Sequence, residues 1–432
     1  MNEKIQIIFG LLGGLAVFIY GMNMMSECLQ KAAGDKMKSI LALLTKNPLL
    51  GVLAGALTTA VLQSSSATTV MAIGFVSAGL MNLPQAISII FGANIGTTMT
   101  AQIIAFKISD YIYVIIFIGF LISFVTKSEK VKSIGQTIFA FGLLFLGIET
   151  MGDVMKPLAS SPVFTDLIGR VAHIPVLGVA VGTVMTLVVQ SSSATIAVLQ
   201  NFASQPGPDG VTSILGLAGA IPILLGDNIG TTITALLASI GQSKDAKRTA
   251  VAHCIFNISG CVLFIWFVKP FAALIQNISP KGPEIEVISR QIANAHTVFN
   301  ITMTLIWVCL IKLMVKIVMT LIPDGKKGVE DPGSPIYLDE NIISQPAAAL
   351  QLVAKEIFRM SDQVRDILKK TIELVKNEEV KSIDGLKENG EQVERLGKCI
   401  TEYLAALFSS GSLTEQQAAQ TASLMCVLSD VE

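Results

Sequence analysis

Gln63-Ser64-Ser65-Ser66-Ala67-Thr68 and Gln190-Ser191-Ser192-Ser193-Ala194-Thr195 are two nearly identical polar runs, each inside a long apolar stretch. Four consecutive polar side chains cannot share one face of a helix, because successive residues are rotated by about 100°. Polar groups at membrane depth are costly unless they are buried in protein or line a wet cavity. Helices interrupted at matching positions of two halves are the sequence signature of a transporter's binding site.

The composition predicts a polytopic membrane protein. Of 432 residues, 52% are apolar and 15% charged, and the mean hydropathy is +0.64, which is too high for a soluble protein of this size. The apolar run after Lys4 has no convincing signal-peptide cleavage site, so it is read as the first transmembrane helix. The net charge of −1 offers no argument for a nucleic-acid partner. The candidate spans are 5–29, 111–126, 134–151, 247–268 and 293–322, with interrupted apolar regions at 49–106 and 175–240.

Charge separates a membrane part from a soluble tail. Residues 47–106 contain no Asp, Glu, Lys or Arg, whereas residues 345–432 contain 10 Lys/Arg and 14 Asp/Glu. We therefore predict a membrane transport domain over 1–325, a linker over 326–344 and a soluble helical domain over 345–432. Apolar residues recur in the tail at spacings of three and four, and Ser412-Leu413-Thr414-Glu415 predicts a capping box that opens a third helix. That helix stops at Glu432 with its apolar stripe still in progress, so the tail domain is expected to be incomplete.

The membrane part contains an internal repeat. Gln63 and Gln190 lie 127 residues apart, and the blocks around Pro48 and Pro175 share that offset. Gly92-Ala93-Asn94-Ile95-Gly96-Thr97-Thr98 matches Gly226-Asp227-Asn228-Ile229-Gly230-Thr231-Thr232 at an offset of 134. We predict that each repeat, over about 5–126 and 134–268, contains a re-entrant hairpin at its serine run and a helix broken at Asn-Ile-Gly-Thr-Thr, with an extra helix at about 293–322.

The number of crossings predicts how the repeats are oriented. Three crossings per repeat is odd, so the two repeats would be inverted in the membrane. Under this threading twelve Lys/Arg fall on one side and seven on the other, which places the richer side and the C-terminus in the cytoplasm of a multi-pass protein of the cell membrane. The pairs Gly51/Gly55 and Gly178/Gly182 are predicted to permit close helix packing.

The chemistry of the motifs favours a small oxyanion together with a monovalent cation. Ser, Thr, Gln and Asn offer hydroxyl and amide groups, helix N-termini inside the membrane favour anions, and carbonyls at half-helix C-termini favour Na⁺. Neither core motif contains Lys or Arg, so a bound anion would gain from a co-bound cation. A nucleophilic serine needs a base within reach, and the three His residues lie far away in sequence, so the chain is not predicted to be an enzyme.

This set of motifs resembles the type II sodium/phosphate cotransporter family. The resemblance spans about Leu11 to Asn300 and includes Ala252-His253-Cys254-Ile255-Phe256-Asn257 and Ala295-His296-Thr297-Val298-Phe299-Asn300. It implies sodium-driven phosphate import through a central site where the two serine-rich hairpins meet, with no cofactor other than the coupling ion. Phosphate contact is implied for Gln63, Ser64, Ser65, Ser66, Gln190, Ser191, Ser192 and Ser193. Sodium contact is implied for Thr68, Asn94, Thr98, Thr195, Asn228 and Thr232.

The tail resembles the front half of a PhoU-like domain, which implies a cytoplasmic regulatory or partner-binding module. Three alternatives stay open at this point: a carrier for another small oxyanion, a membrane sensor that binds phosphate and signals through the tail, and serine runs that only join helices. Asp227, the one acid in the core motifs, is either a further sodium ligand or a residue solvated at a helix break. His253 and His296 are interpreted as partners in helix–helix hydrogen bonds.

Overall fold

The computed structural model describes residues 3–33, 47–77, 81–106, 108–159, 169, 171, 173–207, 209–323, 331–338, 340–343, 346–377, 383–411 and 413–432. In these ranges the chain is all-α, as predicted, and forms no strand. The helices before the tail are α1 (Glu3–Ala33), α2 (Pro48–Leu62), α3 (Ser65–Ser77), α4 (Leu83–Ile104), α5 (Ile112–Val125), α6 (Glu129–Ala159), α7 (Pro175–Val189), α8 (Ser192–Ala203), α9 (Gly216–Gly230), α10 (Thr232–Ala238), α11 (Lys244–Phe264), α12 (Val268–Ile278), α13 (Glu284–Cys309) and α14 (Ile311–Leu321). The tail helices are α15 (Pro346–Asn377), α16 (Ile383–Ser409) and α17 (Glu415–Val431).

Six segments in the described residues are long and apolar enough to cross a membrane. Large apolar side chains on these segments, such as Phe9, Tyr20 and Trp266, are 63%, 65% and 79% exposed. Such a surface is incompatible with water and suits lipid. The segments are Gln6–Leu29, Leu83–Ile104, Glu129–Val154, Gly216–Ala238, Lys244–Ile278 and Glu284–Cys309.

Glycines bring the helix before each serine run, α2 or α7, against the helix that carries the Asn-Ile-Gly-Thr-Thr motif. A methyl group added at Gly55 would overlap the carbonyl oxygen of Ile89 in α4, and one added at Gly182 would overlap that of Ile223 in α9. Gly92 and Gly226 meet the opposite helices in the same way. Backbone therefore packs on backbone in both repeats, as the small-residue pairs predicted.

The predicted break at Asn-Ile-Gly-Thr-Thr is wrong in the first repeat. Helix α4 runs unbroken through this motif, because its polar side chains bond to carbonyls of their own helix: Asn94 Nδ2 donates to Ile90 O at 2.8 Å and Thr98 Oγ1 to Ile95 O at 2.8 Å. In the second repeat the break is a single residue. Thr231 keeps helical angles (φ −64°, ψ −20°) and its N–H still bonds to Asp227 O. The motif's glycine is used for close packing and not for a bend.

The predicted extra helix over 293–322 is also wrong in its bounds, because two helices occupy this region. Helix α13 begins at Glu284, after Pro283, and its first turn carries Glu284 and Glu286. Their negative charges are favourable at a helix N-terminus. They also lower the hydropathy of this turn, which is why the predicted helix began later. Helix α13 ends at Cys309, the N–H of the capping residue Leu310 bonds to both Ile306 O and Val308 O, and α14 starts at Ile311. The predicted span 247–268 likewise lies within one longer apolar segment, Lys244–Ile278.

The described chain divides into two compact units. The first comprises residues 1–69, 84–237 and 249–318. In it α1 packs along α6, α6 along α5, and α7 along α9. Its buried core includes Phe18, Leu144 and Met151.

The second unit comprises residues 70–83, 238–248 and 319–432. Ser77 Oγ donates to Gln242 Oε1 at 2.7 Å, and Arg248, which is 4% exposed, donates from Nε to Ile322 O at 2.9 Å and pairs with Asp245. In the tail α15 packs on α16 and α17. A capping box opens the third tail helix, but it is formed by Thr414 and Gln417. The cap predicted at Ser412 is therefore displaced by two residues, and Ser412 itself lies outside the described residues.

Candidate functional site

Each serine run begins with a glutamine in the left-handed conformation. Gln63 has φ 53° and Gln190 has φ 54°, and they are the two non-glycine residues with positive φ in the described chain. Helix α2 ends at Leu62 and α3 begins at Ser65, while α7 ends at Val189 and α8 begins at Ser192. The predicted interruptions at the serine runs are therefore present, and they consist of the same sharp bend in both repeats. Residues other than glycine rarely adopt this backbone conformation, so contacts with the surrounding structure must maintain it.

The serine after each glutamine caps the next helix. Ser64 Oγ accepts from Ala67 N at 3.2 Å and Ser191 Oγ accepts from Ala194 N at 3.3 Å. This leaves the first N–H groups of α3 and α8 without acceptors inside their own helices. The serines that carry those N–H groups are Ser65 and Ser66 in α3, and Ser192 and Ser193 in α8.

A pair of threonines joins the two helices on either side of each bend. Thr59 Oγ1 donates to Thr68 Oγ1 at 2.8 Å in the first repeat, and Thr186 Oγ1 lies 3.1 Å from Thr195 Oγ1 in the second. Both pairs are buried, and their members correspond at the offset of 127. The hydroxyls hold the two helices together behind each bend and place an oxygen cluster there.

In the first repeat the serine run is bonded to α4. Thr100 Oγ1 donates to Gln63 Oε1 at 3.0 Å, and Thr97 Oγ1 donates to Ser65 Oγ at 3.1 Å. Gln63 is 8% exposed and also donates to Ala60 O. Its counterpart Gln190 is exposed and has no side-chain hydrogen bond within the described chain. The two glutamines thus share a backbone conformation but differ in their surroundings.

More than one hydrogen bond crosses between the two repeats within the first unit, for example from Gln200 Nε2 to Ala101 O at 3.1 Å, and one of them reaches a serine run. Thr234 Oγ1 of α10 lies 3.2 Å from Ser66 Oγ of α3 and 2.9 Å from Thr231 O. Thr234 corresponds to Thr100 at the offset of 134. Thr100 bonds to the serine run of its own repeat, whereas Thr234 bonds to the serine run of the other repeat. Among the described residues, no hydrogen bond joins the two Gln-Ser-Ser-Ser runs directly.

The second repeat contains a buried acid. Asp227 is 0% exposed; its Oδ1 lies 2.6 Å from Thr186 Oγ1, and its Oδ2 has no partner within the described part of the chain. Since Thr186 has one hydroxyl proton and Asp227 accepts it, the Thr195 hydroxyl donates to Thr186. Asp227 is not solvated at a helix break, which was one of its two interpretations. A buried carboxylate without a counter-charge is costly, and hydroxyl and carboxylate oxygens are ligands that suit a hard cation.

The other residues expected at sodium sites bond first to their own helices. Thr232 Oγ1 donates to Ile229 O at 2.8 Å and Asn228 Nδ2 to Leu224 O at 3.1 Å, as Asn94 and Thr98 do in α4. Asn228 has a second partner, because its Oδ1 lies 3.3 Å from His296 Nε2 of α13. This contact agrees with the interpretation of His296 as a helix–helix hydrogen-bonding residue.

Sequence reasoning missed the threonines that organise the site. None of them belongs to the residues implied by the family resemblance, yet each is a polar residue in an apolar helix, and most occupy corresponding positions in the two repeats. That correspondence is the signal that could have identified them. They are Thr59, Thr97, Thr100, Thr186 and Thr234.

Comparison with known proteins gives matches over most of the membrane part. The family model described as Na+/Pi-cotransporter matches residues 17–153 and again 147–279. The "Uncharacterized protein YqeW" of Bacillus subtilis is 35% identical over 263 residues, which cover 61% of this chain and 83% of that protein. No solved structure matches.

Two named relatives extend the comparison. The "Putative inorganic phosphate export protein YjbB" of Salmonella typhimurium is 24% identical over 92% of this chain and 70% of its own length. The human "Sodium-dependent phosphate transport protein 2B" is 34% identical over 31% of this chain and 19% of its own length. The two consecutive family matches each include one left-handed glutamine and one threonine pair, and the chain belongs to the Na+/Pi-cotransporter family.

Proposed function

We propose that this protein is a sodium-coupled secondary transporter of inorganic phosphate. The observation that carries the proposal is the pair of left-handed bends at Gln63 and Gln190. After each bend a new helix begins with serines, so that a serine-rich helix N-terminus lies within an apolar stretch of the chain. Unpaired N–H groups and serine hydroxyls at a helix N-terminus are suited to an oxyanion. Phosphate would be held by the two glutamines and by Ser64, Ser65, Ser66, Ser191, Ser192 and Ser193.

A sodium site in the second repeat fits the residues present. Thr186 and Thr195 supply hydroxyl oxygens, and Asp227 supplies a carboxylate oxygen that has no partner in the described chain. Asn228 and Thr232 lie one and five residues further along. In the first repeat Thr68, Asn94 and Thr98 offer neutral oxygens only. Neither serine run contains a basic residue that could neutralise phosphate. Bound sodium supplies this missing positive charge.

The direction of transport separates two versions of this function. Import driven by an inward sodium gradient is the version we favour, since the coupling ion has candidate ligands in the chain. Phosphate export is the second version, and it is favoured by the similarity to a protein named for export along 92% of this chain, including much of the tail. In both versions the tail is a cytoplasmic regulatory or partner-binding module.

Reconstitution into proteoliposomes tests the function. Labelled phosphate should accumulate against its gradient when sodium is higher outside and should not when choline replaces sodium. Sulfate in excess should not compete, whereas arsenate should. Accumulation independent of sodium would remove the coupling, and failure to move phosphate in either direction would leave a sensor.

Calorimetry tests the coupling at equilibrium. Because binding linkage is reciprocal, sodium must raise the affinity for phosphate by the same factor as phosphate raises the affinity for sodium. Phosphate titrations in sodium and in choline buffers should therefore differ. Equal phosphate affinities in the two buffers would contradict sodium coupling.

A further inference from the structure

We propose that His296 is a positioning residue for sodium, because it fixes the amide of Asn228 so that the amide oxygen faces the cation. This inference rests on the proposed function, in which Asn228 contributes to a sodium site, but it assigns a role to a residue outside both core motifs. Nε2 of His296 lies 3.3 Å from Oδ1 of Asn228, and the two residues are 0% and 2% exposed.

The hydrogen bonds around Asn228 determine which way its amide points. Its Nδ2 donates to Leu224 O at 3.1 Å, and a backbone carbonyl can only accept. The amide oxygen must therefore face His296, and the Nε2 nitrogen of His296 must carry the proton. An amide oxygen has two lone pairs, so the bond from His296 leaves one lone pair of Asn228 Oδ1 for a cation.

The unprotonated nitrogen of His296 is consistent with this tautomer. His296 Nδ1 is buried and has no hydrogen-bond partner within the described chain. A proton placed on Nδ1 would be an unsatisfied buried donor and would at the same time leave Asn228 Oδ1 facing a second acceptor. The buried surroundings therefore favour a neutral imidazole protonated at Nε2.

Helix α13 is held where His296 can act. Gln102 Nε2 of α4 bonds to Asn294 Oδ1 and Thr297 Oγ1 at 3.1 and 3.0 Å, on either side of His296 in the sequence. About two turns beyond, Thr304 Oγ1 donates to Phe91 O at 3.2 Å. The imidazole therefore extends from a helix anchored on the first repeat and bonds to an amide of the second repeat.

The chain contains a matched residue for comparison. His253 lies in Ala-His-Cys-Ile-Phe-Asn, as His296 lies in Ala-His-Thr-Val-Phe-Asn, and it is 3% exposed. In both segments the Asn four residues later donates to the histidine carbonyl. In the described chain no hydrogen bond joins His253 to either Asn-Ile-Gly-Thr-Thr motif. Loss of packing should thus be similar at the two sites, and loss of sodium binding should be confined to His296.

The experiment measures sodium binding by the full-length protein in detergent, without phosphate, as the rise in thermal unfolding temperature on replacing choline with sodium. His296→Ala should weaken the apparent sodium affinity by about 10–100-fold, the usual effect of removing a partner behind a metal ligand. His296→Gln, whose amide N–H can replace the Nε2 donor, should restore most of the affinity. His253→Ala should retain the wild-type sodium affinity, and phosphate affinity at saturating sodium should change little in any variant.

Nuclear magnetic resonance of ¹⁵N-histidine reads the tautomer of His296 in the wild-type protein, and variants serve only to assign the signals. The chain has three His residues, so His→Gln variants can assign the signals. His296 should be neutral with its proton on Nε2, and its signal should move on sodium addition more than that of His253.

Several results would overturn the proposal: an Nδ1-protonated His296, unchanged sodium affinity in His296→Ala, equal losses in His253→Ala, or wild-type protein that shows no sodium-induced stabilisation. None of these readouts uses phosphate transport. A protein that binds sodium through Asn228 but moves no phosphate would contradict the proposed function and leave the role of His296 intact.

Discussion

Thr186 Oγ1 lies 2.6 Å from Asp227 Oδ1, and this contact has no equivalent in the first repeat, because Ala93 occupies the position of Asp227. Thr59 corresponds to Thr186, and within the described residues its hydroxyl bonds to Thr68 and to no acid. The two repeats therefore share a framework of bends and threonine pairs but differ in charge. We expect the second repeat to dominate cation binding.

Matched threonine variants test that expectation. Thr186→Val keeps the shape of the side chain but removes a hydrogen bond to a charged group, which is worth about 1.5–3 kcal/mol. Apparent sodium affinity should fall roughly tenfold to a hundredfold. Thr59→Val removes only a bond between neutral groups and should leave sodium affinity unchanged. The apparent sodium affinity is measured from phosphate uptake at a series of sodium concentrations. Equal losses of sodium affinity in the two variants would contradict a charge difference between the repeats.

Glycine substitutions separate the backbone and side-chain roles of the two glutamines. Gln63→Gly and Gln190→Gly relieve the left-handed conformation, which costs a residue with a side chain about 1–2 kcal/mol. Each variant loses an amide that we assign to phosphate, so phosphate affinity should fall roughly tenfold to a hundredfold. Thermal unfolding and phosphate calorimetry are measured together. The thermal gain should be larger at Gln190, because Gln63→Gly also breaks the bond to Thr100. Normal phosphate affinity in either variant would remove that glutamine from the site.

Alanine at the packing glycines should disturb the contacts of α2 with α4 and of α7 with α9 directly. Gly55→Ala and Gly182→Ala would place a methyl group on the carbonyl oxygens of Ile89 and Ile223, and overpacking of this kind costs about 1–3 kcal/mol. Both variants should lower the thermal unfolding temperature. Gly13→Ala is the control, since a methyl group there meets nothing within 4 Å, and it should not lower stability. Unchanged stability at Gly55 and Gly182 would show that these helices can separate freely.

The tail offers a prediction about independence. Glu356 is 0% exposed; it accepts from Ile336 N and Tyr337 N at 3.0 and 2.6 Å and pairs with Arg359 at 2.6 Å. Breaking such a buried pair costs about 3–5 kcal/mol. Glu356→Ala should therefore lower the stability of the tail, and exposed Glu373→Ala should not.

Phosphate uptake should be normal in both Glu variants and in a chain lacking residues 345–432, because the proposed site uses no tail residue. Uptake and limited proteolysis of the tail are the measurements. Loss of uptake in a well-folded truncated chain would show that the tail takes part in transport.

Local chemistry explains which parts of the fold could be predicted. The bends at Gln63 and Gln190 follow from four successive polar residues that one helix face cannot hold. The glycine pairs were recognised because small residues at a spacing of four predict close packing. The helix break predicted at Asn94 failed because Asn and Thr side chains can bond to carbonyls of their own helix, and composition does not reveal whether they do.

The sequence could predict the motifs of the site but not the hydrogen bonds that connect them. The resemblance indicated the serines and the asparagines, and Asp227 was singled out as the one acid in the core motifs, but partners of these residues lie on other helices. Thr186 and His296 acquire their roles only when α7, α9 and α13 pack together. The different surroundings of Gln63 and Gln190 belong to tertiary structure, since their flanking sequences are almost the same.

The contacts of Gly55 with Ile89 and of Gly182 with Ile223 also limit how the protein can move. Backbones in van der Waals contact along two helices cannot slide without unstacking several residues at once, so α2 and α4 form one rigid body and α7 and α9 another. A motion that exposes the serine runs to one side and then the other must carry each pair as a unit. The hinges must then lie where each helix pair joins the rest of the chain. The bend that ends α2 or α7 moves together with its pair.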